Sequence, residues 1–152
     1  MVLVDTGVNS SHLFWRFNLI DLKKIKRFAQ EIHDKNNDGH GFDHIERVVA
    51  LAQKILLTEP SANQELVLAT CYLHDTYDEK LTDDVPKQKA KVAQFLNELK
   101  IDKKLIDELF MIIDNMSFSS NLIERKTLSL NGQIVQDADR LDAMGAWGIV
   151  RT

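Results

Sequence analysis

The segment from residue 62 to residue 73 constrains the fold of this chain more than any other. If it is helical, its apolar residues cover nearly every side of the helix. They are Leu66, Val67, Leu68, Ala69, Cys71, Tyr72 and Leu73. A helix without a polar face is stable only where other helices cover it. We therefore predict a helix from about Ala62 to Tyr72 at the centre of the molecule, running directly into the pair His74-Asp75.

The rest of the chain also favours helices. Only two prolines and six glycines occur in 152 residues, and apolar residues recur mostly at helical spacing. No pair of segments has a convincing strand pattern. The other helices are expected at about Leu19 to His33, Phe42 to Leu57, Pro86 to Leu99, Asp102 to Met116, and from Gln133 onward. The predicted fold is an all-α bundle of about six helices.

The first and last helices have predicted buried faces that can be checked residue by residue. The first is expected to bury Ile20, Ile25, Phe28, Ala29 and Ile32. The last is expected to bury Ile134, Ala138, Leu141 and Ile149. Residues 1–18 come before this pattern and are expected to form a loosely ordered leader.

Composition excludes several classes of partner. The net charge of −4 opposes non-specific nucleic-acid binding, which needs a basic surface, and gives no support for binding an anionic membrane. No stretch approaches the roughly 20 apolar residues of a membrane span, and the N-terminus lacks a secretory pattern. The single cysteine, Cys71, is expected to be a small buried hydrophobe in a reducing compartment. We predict a one-domain cytoplasmic protein, and a homodimer is left open.

Ionisable residues interrupt the apolar helices at three places. His44 lies at the edge of the second helix's apolar stripe, His74 and Asp75 end the most apolar helix, and Asp139 lies in the last helix. Burying such groups is costly unless they are paired or bind a metal. Imidazole and carboxylate groups are suitable ligands for Mn²⁺, Fe²⁺, Co²⁺ or Zn²⁺, and carboxylates also suit Mg²⁺. The set therefore indicates a divalent-metal site.

Each of these signals is weak alone. A single histidine such as His74 is more often a satisfied core or helix-end residue than a ligand, and His-Asp pairs are common by chance. A purely structural bundle, however, gives no reason to place all four residues against apolar faces. The metal-site prediction therefore rests on all four residues occurring together in this order along the chain.

Three strings of residues resemble the motifs of the HD superfamily of metal-dependent phosphohydrolases. HGFDHIERV at residues 40–48 is similar to the first motif, in which a helix carries H-x-x-R-V, and LHDTYDEK at residues 73–80 is similar to the second. VQDADRLDAMGA at residues 135–146 is the most specific and points to small stand-alone bacterial HD hydrolases that act on nucleotides. The resemblance covers roughly residues 20 to 152.

The resemblance implies a role for each matching residue. The metal ligands would be His44, His74, Asp75 and Asp139. Asp78 would lie near the attacking water, with a plain loop carboxylate as the alternative. Arg47 and Lys80 would contact phosphate and offset charge in the reaction, although a solvated charge or a structural ion pair is equally compatible with either. His40 would touch the substrate.

The resemblance also has two departures. Relatives commonly have aspartate after the first histidine of the first motif, where this chain has Gly41. Family members also continue for several more helices, so we expect an HD domain over residues 19–152 that lacks the C-terminal ones. The implied function is metal-dependent hydrolysis of a phosphoester or phosphoanhydride in a small phosphorylated molecule, with a nucleotide as the expected class. A non-catalytic sensor that binds metal or nucleotide is the alternative.

Overall fold

The computed structural model describes residues 19–35, 41–116 and 127–150, with side chains through residue 145. Within these residues all regular secondary structure is helical, which confirms the all-α prediction of about six helices. The helices are α1 (Leu22–Asp34), α2 (Gly41–Leu56), α3 (Gln64–Leu73), α4 (Val85–Glu98), α5 (Lys103–Asn115) and α6 (Leu130–Val150). The predicted leader and His40 lie outside the described residues.

Side-chain caps explain where several helices begin. Asn63 accepts a hydrogen bond from the backbone N–H of Leu66 and begins α3, and Asp84 and Asp102 cap α4 and α5 in the same way. The helix start predicted near Asp102 is confirmed. The start predicted for α6, at Gln133, is three residues late, because α6 begins at Leu130 and includes Gly132. The lack of a side chain at Gly132 allows close packing, since a Cβ there would lie 3.0 Å from Ile112 and Leu128.

Helix α3 lies at the centre of the bundle and packs against α1, α2, α5 and α6. It contributes to two apolar clusters, one on each side. Val67, Leu68 and Cys71 belong to the cluster shared with α2 and α6. Leu66, Ala69 and Leu73 belong to the cluster shared with α1, α4 and α5. The prediction of a central helix is confirmed, as is the burial of Cys71.

Two predicted buried faces need correction. Leu141 is 44% exposed, and the neighbouring Asp142 is buried in its place at 7%. The carboxylate turns inward because it has ionic partners on α2, described below. At the end of α1, His33 is buried and Ile32 only partly so. Ile149 lies outside the described side chains. None of the described helices is long and apolar enough to span a membrane.

Candidate metal centre

Three helices bring the four predicted ligands together. His44 lies in the first turn of α2, His74 caps the C-terminal end of α3 with Asp75 next in the chain, and Asp139 lies on α6. The mutual packing of α2, α3 and α6 places these segments side by side. His44, His74 and Asp75 each offer a ligand atom within 4.8 Å of the others. The Oδ1 atom of Asp139 lies 3.2 Å from Nε2 of His44 and 3.5 Å from Nε2 of His74.

The helix end holds the His74 ring in one orientation. Its Nδ1 lies 2.8 Å from the carbonyl oxygen of Cys71, and because a carbonyl only accepts, Nδ1 carries the donated proton. Nε2 is buried without a hydrogen-bond partner among the described residues. It lies 3.3 Å from Oδ1 of Asp75. In the neutral ring, the lone pair of Nε2 therefore faces the carboxylates.

His44 is held in the same tautomer by a residue that the sequence analysis did not assign to the site. Its Nδ1–H donates a hydrogen bond to Oδ2 of Asp142 at 2.7 Å, and Nε2 faces Asp139 and Asp75. Asp142 also accepts hydrogen bonds from Nε and Nη2 of Arg47 at 2.7 and 3.2 Å. Asp142 follows Asp139 by three residues, so both lie on one face of α6. That spacing could have identified it.

The electrostatics of the cluster favour positive charge between the carboxylates. Burial opposes ionisation of Asp139, but the imidazoles of His44 and His74, whose Nε2 atoms lie 3.2 and 3.5 Å from Oδ1, outweigh it when protonated and lower the pKa of the carboxyl. Burial likewise opposes protonation of His74, yet the charges of Asp75 and Asp139 raise its pKa to about 9. Protons or a divalent cation can supply the positive charge that this arrangement favours.

The segment after His74-Asp75 is anchored to the core. Thr76 is fully buried and its hydroxyl donates to the carbonyl oxygen of Leu73. The Tyr77 hydroxyl donates to Asp114 of α5 at 3.0 Å, and Lys89 of α4 pairs with the same carboxylate. These contacts fix the path of the chain immediately beyond the cluster.

The remaining predicted site residues have different surroundings. Asp78 is half-buried, three residues beyond Asp75, and accepts a hydrogen bond from the backbone N–H of Lys80 at 2.8 Å. The exposed Lys80 ammonium has no hydrogen bond or ion pair with the described residues. Arg47 is 54% exposed and already pairs with Asp142. His40 is not among the residues described. The proposed roles of these four residues stay predictions.

A second residue that the sequence analysis missed is His33, at the end of α1. It is 6% exposed, and its Nδ1 lies where a Cβ on Gly41 would come within 2.9 Å. Burial lowers the pKa of His33, and the charges of Asp75, His74 and His44 also act on it. Ile25, Ala29 and His33 recur at four-residue spacing and form the buried face of α1. That periodicity could have found it.

The residues of the cluster fit a divalent cation. Two imidazole nitrogens each lie within 3.7 Å of carboxylate oxygens of Asp75 and Asp139, and one of those nitrogens is a buried atom without a hydrogen-bond partner among the described residues. A buried polar atom of this kind is costly unless something binds it. The mixture of nitrogen and oxygen ligands suits Mn²⁺, Fe²⁺, Co²⁺ or Zn²⁺. The two carboxylates, but not the imidazoles, would also suit Mg²⁺.

Comparison with known proteins agrees with the motifs. The HD domain family model matches residues 41–144. The Bacillus subtilis protein YpgQ is 36% identical over 130 residues, which are 85% of this chain and 63% of YpgQ. The protein belongs to the HD domain family.

Solved structures give the same result. A crystal structure from Lactobacillus plantarum is 40% identical with a TM-score of 0.76, covering 86% of this chain and 59% of that one. The crystal structure of YpgQ in complex with ADP is 35% identical with a TM-score of 0.67, covering 86% of this chain and 62% of that one. The chain thus spans about three fifths of the length of the relatives it matches.

Proposed function

We propose that this protein is a divalent-metal-dependent phosphohydrolase that cleaves a phosphoester or phosphoanhydride bond of a nucleotide. The observation that carries the proposal is the convergence of His44, His74, Asp75 and Asp139 from three helices. Membership of the HD domain family supports the reaction class. The ADP bound to YpgQ supports a nucleotide as the substrate class.

Each residue of the site has a part in this proposal. The four converging side chains would hold the cation, which when bound lowers the pKa of water and offsets charge on a phosphoryl oxygen. Asp78 would orient or deprotonate the attacking water from the anchored segment beyond Asp75. Lys80, whose ammonium has no partner among the described residues, would contact phosphate. Arg47 would do so only by sharing its guanidinium with Asp142.

A release assay tests the proposed activity. Nucleoside mono-, di- and triphosphates are incubated with the protein and Mg²⁺, Mn²⁺ or Co²⁺, and orthophosphate and pyrophosphate are measured. We expect metal-dependent release of one of these products. Protein that binds Mn²⁺ and ADP but releases nothing would instead support the sensor alternative, and protein that binds no divalent cation would contradict both.

Two substitutions separate metal binding from catalysis. Asp75→Ala removes a proposed ligand, so it should abolish both Mn²⁺ binding and turnover. Asp78→Asn keeps an oxygen that can accept from the Lys80 N–H but removes the carboxylate, so turnover should fall by about 10²–10⁴ with the metal retained. Asp83→Ala, an exposed acid in the same loop, is the matched control. Near wild-type turnover of Asp78→Asn would show that Asp78 only accepts the backbone hydrogen bond from Lys80 and has no part in catalysis.

A further inference from the structure

The end of α1 carries a buried polar side chain that has no hydrogen-bond partner among the described residues. His33 is 94% buried, and neither Nδ1 nor Nε2 has a hydrogen-bond partner among those residues. Every neutral imidazole has one N–H donor and one acceptor nitrogen. Placing both in the interior without partners is costly, and an apolar side chain would fill the same space at no such cost. The imidazole therefore points to a ligand.

His33 packs against the start of α2, the helix that carries His44. Its Nδ1 lies over Gly41, because a Cβ on that residue would approach it to 2.9 Å. Gly41 precedes His44 by three residues, so the two are neighbours on the surface of α2. The His33 ring also contacts Phe42 edge to face, with the ring centroids 6.0 Å apart. The charges of Asp75, His74 and His44 act on His33, so the ring lies near the candidate metal centre on its α1 side.

We propose that His33 is a further substrate-binding residue of this site and donates a hydrogen bond to a phosphoryl oxygen of the bound nucleotide. The inference rests on the proposed function, since it needs a phosphorylated molecule at the centre. Phosphoryl oxygens only accept, so a ring N–H is a suitable partner in either tautomer. His44, His74, Asp75 and Asp139 already offer four ligand atoms, which leaves His33 free for the substrate. A hydrogen bond to an ionised phosphoryl oxygen in a buried site is stronger than a hydrogen bond between two neutral groups.

Gly41 leaves the space that the His33 ring occupies. Any side chain at residue 41 would press on the His33 ring, since Nδ1, Cβ and Cγ of His33 all lie within 3.4 Å of the position of its Cβ. The glycine therefore keeps the imidazole in place. A methyl group added there should displace the ring without removing it. This gives a test that does not depend on changing His33 itself.

The experiment measures Mn²⁺ and ADP binding separately by calorimetry. His33→Leu should bind Mn²⁺ with wild-type stoichiometry and an affinity within about threefold, whereas its affinity for ADP in the presence of Mn²⁺ should fall about 10- to 100-fold. His33→Gln retains an N–H donor and should recover part of that loss. Without ligands, His33→Leu should melt at or above the wild-type temperature, because it removes the unpartnered buried nitrogens.

A double-substitution cycle supplies the independent measurement. Gly41→Ala should weaken ADP binding in the wild-type background and have little further effect in a His33→Ala background. Gly145→Ala is the matched control, because a Cβ there meets no atom within 4 Å. If His33→Leu fails to fold, Gly41→Ala and His33→Gln still decide the result.

The outcomes separate this inference from the proposed function. Wild-type ADP affinity in both His33→Leu and Gly41→Ala would overturn the inference and leave the hydrolase proposal standing. A loss of Mn²⁺ affinity in His33→Leu would also overturn it, because His33 would then be a metal ligand. Wild-type protein that binds ADP but releases no phosphate or pyrophosphate from any of the nucleotides screened would contradict the hydrolase proposal, and the His33 inference would be decided by the ADP affinities alone.

Discussion

The Oδ2 atom of Asp142 lies 2.7 Å from Nδ1 of His44, while Nε2 of the same ring faces Asp139 at 3.2 Å. The carboxylate therefore selects the tautomer that leaves Nε2 free to bind a cation. Such carboxylate–histidine pairs orient metal ligands and raise their basicity in many metal sites. Asp142 is itself held by two hydrogen bonds from Arg47, so its position does not depend on His44 alone.

Asp142→Asn should weaken Mn²⁺ binding by about 10- to 100-fold, because the amide no longer fixes the His44 tautomer with a full negative charge. Calorimetric titration with MnCl₂ measures the change. Asp137→Asn, an exposed substitution on the same helix, should bind Mn²⁺ as the wild type does. Equal affinities in the two variants would show that Asp142 does not support the metal centre.

Mn²⁺ affinity should fall as the pH is lowered from 8 to 6. The hydrogen bond to Asp139 raises the pKa of His44, and Asp75 and Asp139 raise that of His74 to about 9. The His74 ring therefore holds a proton that the cation must displace, and His44 becomes more protonated as the pH falls. The affinity should change by up to about tenfold per pH unit for each proton displaced. Titrations in buffers of different ionisation enthalpy count the released protons. Metal binding without proton release at pH 7.5 would contradict the displacement of a proton from His74.

Leu68→Ala should lower the free energy of unfolding by about 2–5 kcal/mol, because it opens a cavity beside the central helix. Urea denaturation followed by circular dichroism provides the measurement. Leu57→Ala removes the same atoms from a side chain that is 85% exposed, and its effect should stay within about 0.5 kcal/mol. A similar small effect for Leu68→Ala would contradict the central position of α3.

The Cys71 thiol should react very slowly in the native protein. Burial raises its pKa, and the nearby charge of Asp139 raises it further, so almost no thiolate forms near neutral pH. Labelling with an aromatic disulfide reagent should be roughly 100-fold or more slower in buffer than in denaturant. Rapid labelling of the folded protein would indicate that the C-terminal part of α3 opens readily.

Much of this structure could be predicted because it depends on local sequence. The caps at Asp102 and Asn63 and the apolar spacing within each helix are local signals, so the helices were placed to within a few residues. The four proposed ligands of the candidate metal centre could be named from the motifs at 40–48, 73–80 and 135–146. Their distances could not, because these depend on how α2, α3 and α6 pack.

The errors occurred where a polar residue takes an inward position. On α6 the apolar Leu141 was expected inside, but Asp142 occupies that face because its partners lie 98 and 95 residues earlier in the chain. On α1 the apolar Ile32 was expected inside, but the neighbouring His33 is the buried residue although its ring nitrogens have no hydrogen-bond partner among the described residues. Hydrophobicity alone cannot decide such positions when the compensating contact comes from a distant helix.

The packing of the His33 ring over Gly41 also limits how this sequence can change over evolutionary time. A chain that gains a side chain at residue 41 while the imidazole is still present must pass through an overpacked intermediate. A chain that first exchanges His33 for a smaller residue has room at position 41 for glycine or for a residue with a side chain. Substitution at 33 should therefore precede substitution at 41 in any viable lineage that starts here, so the two positions are expected to vary together.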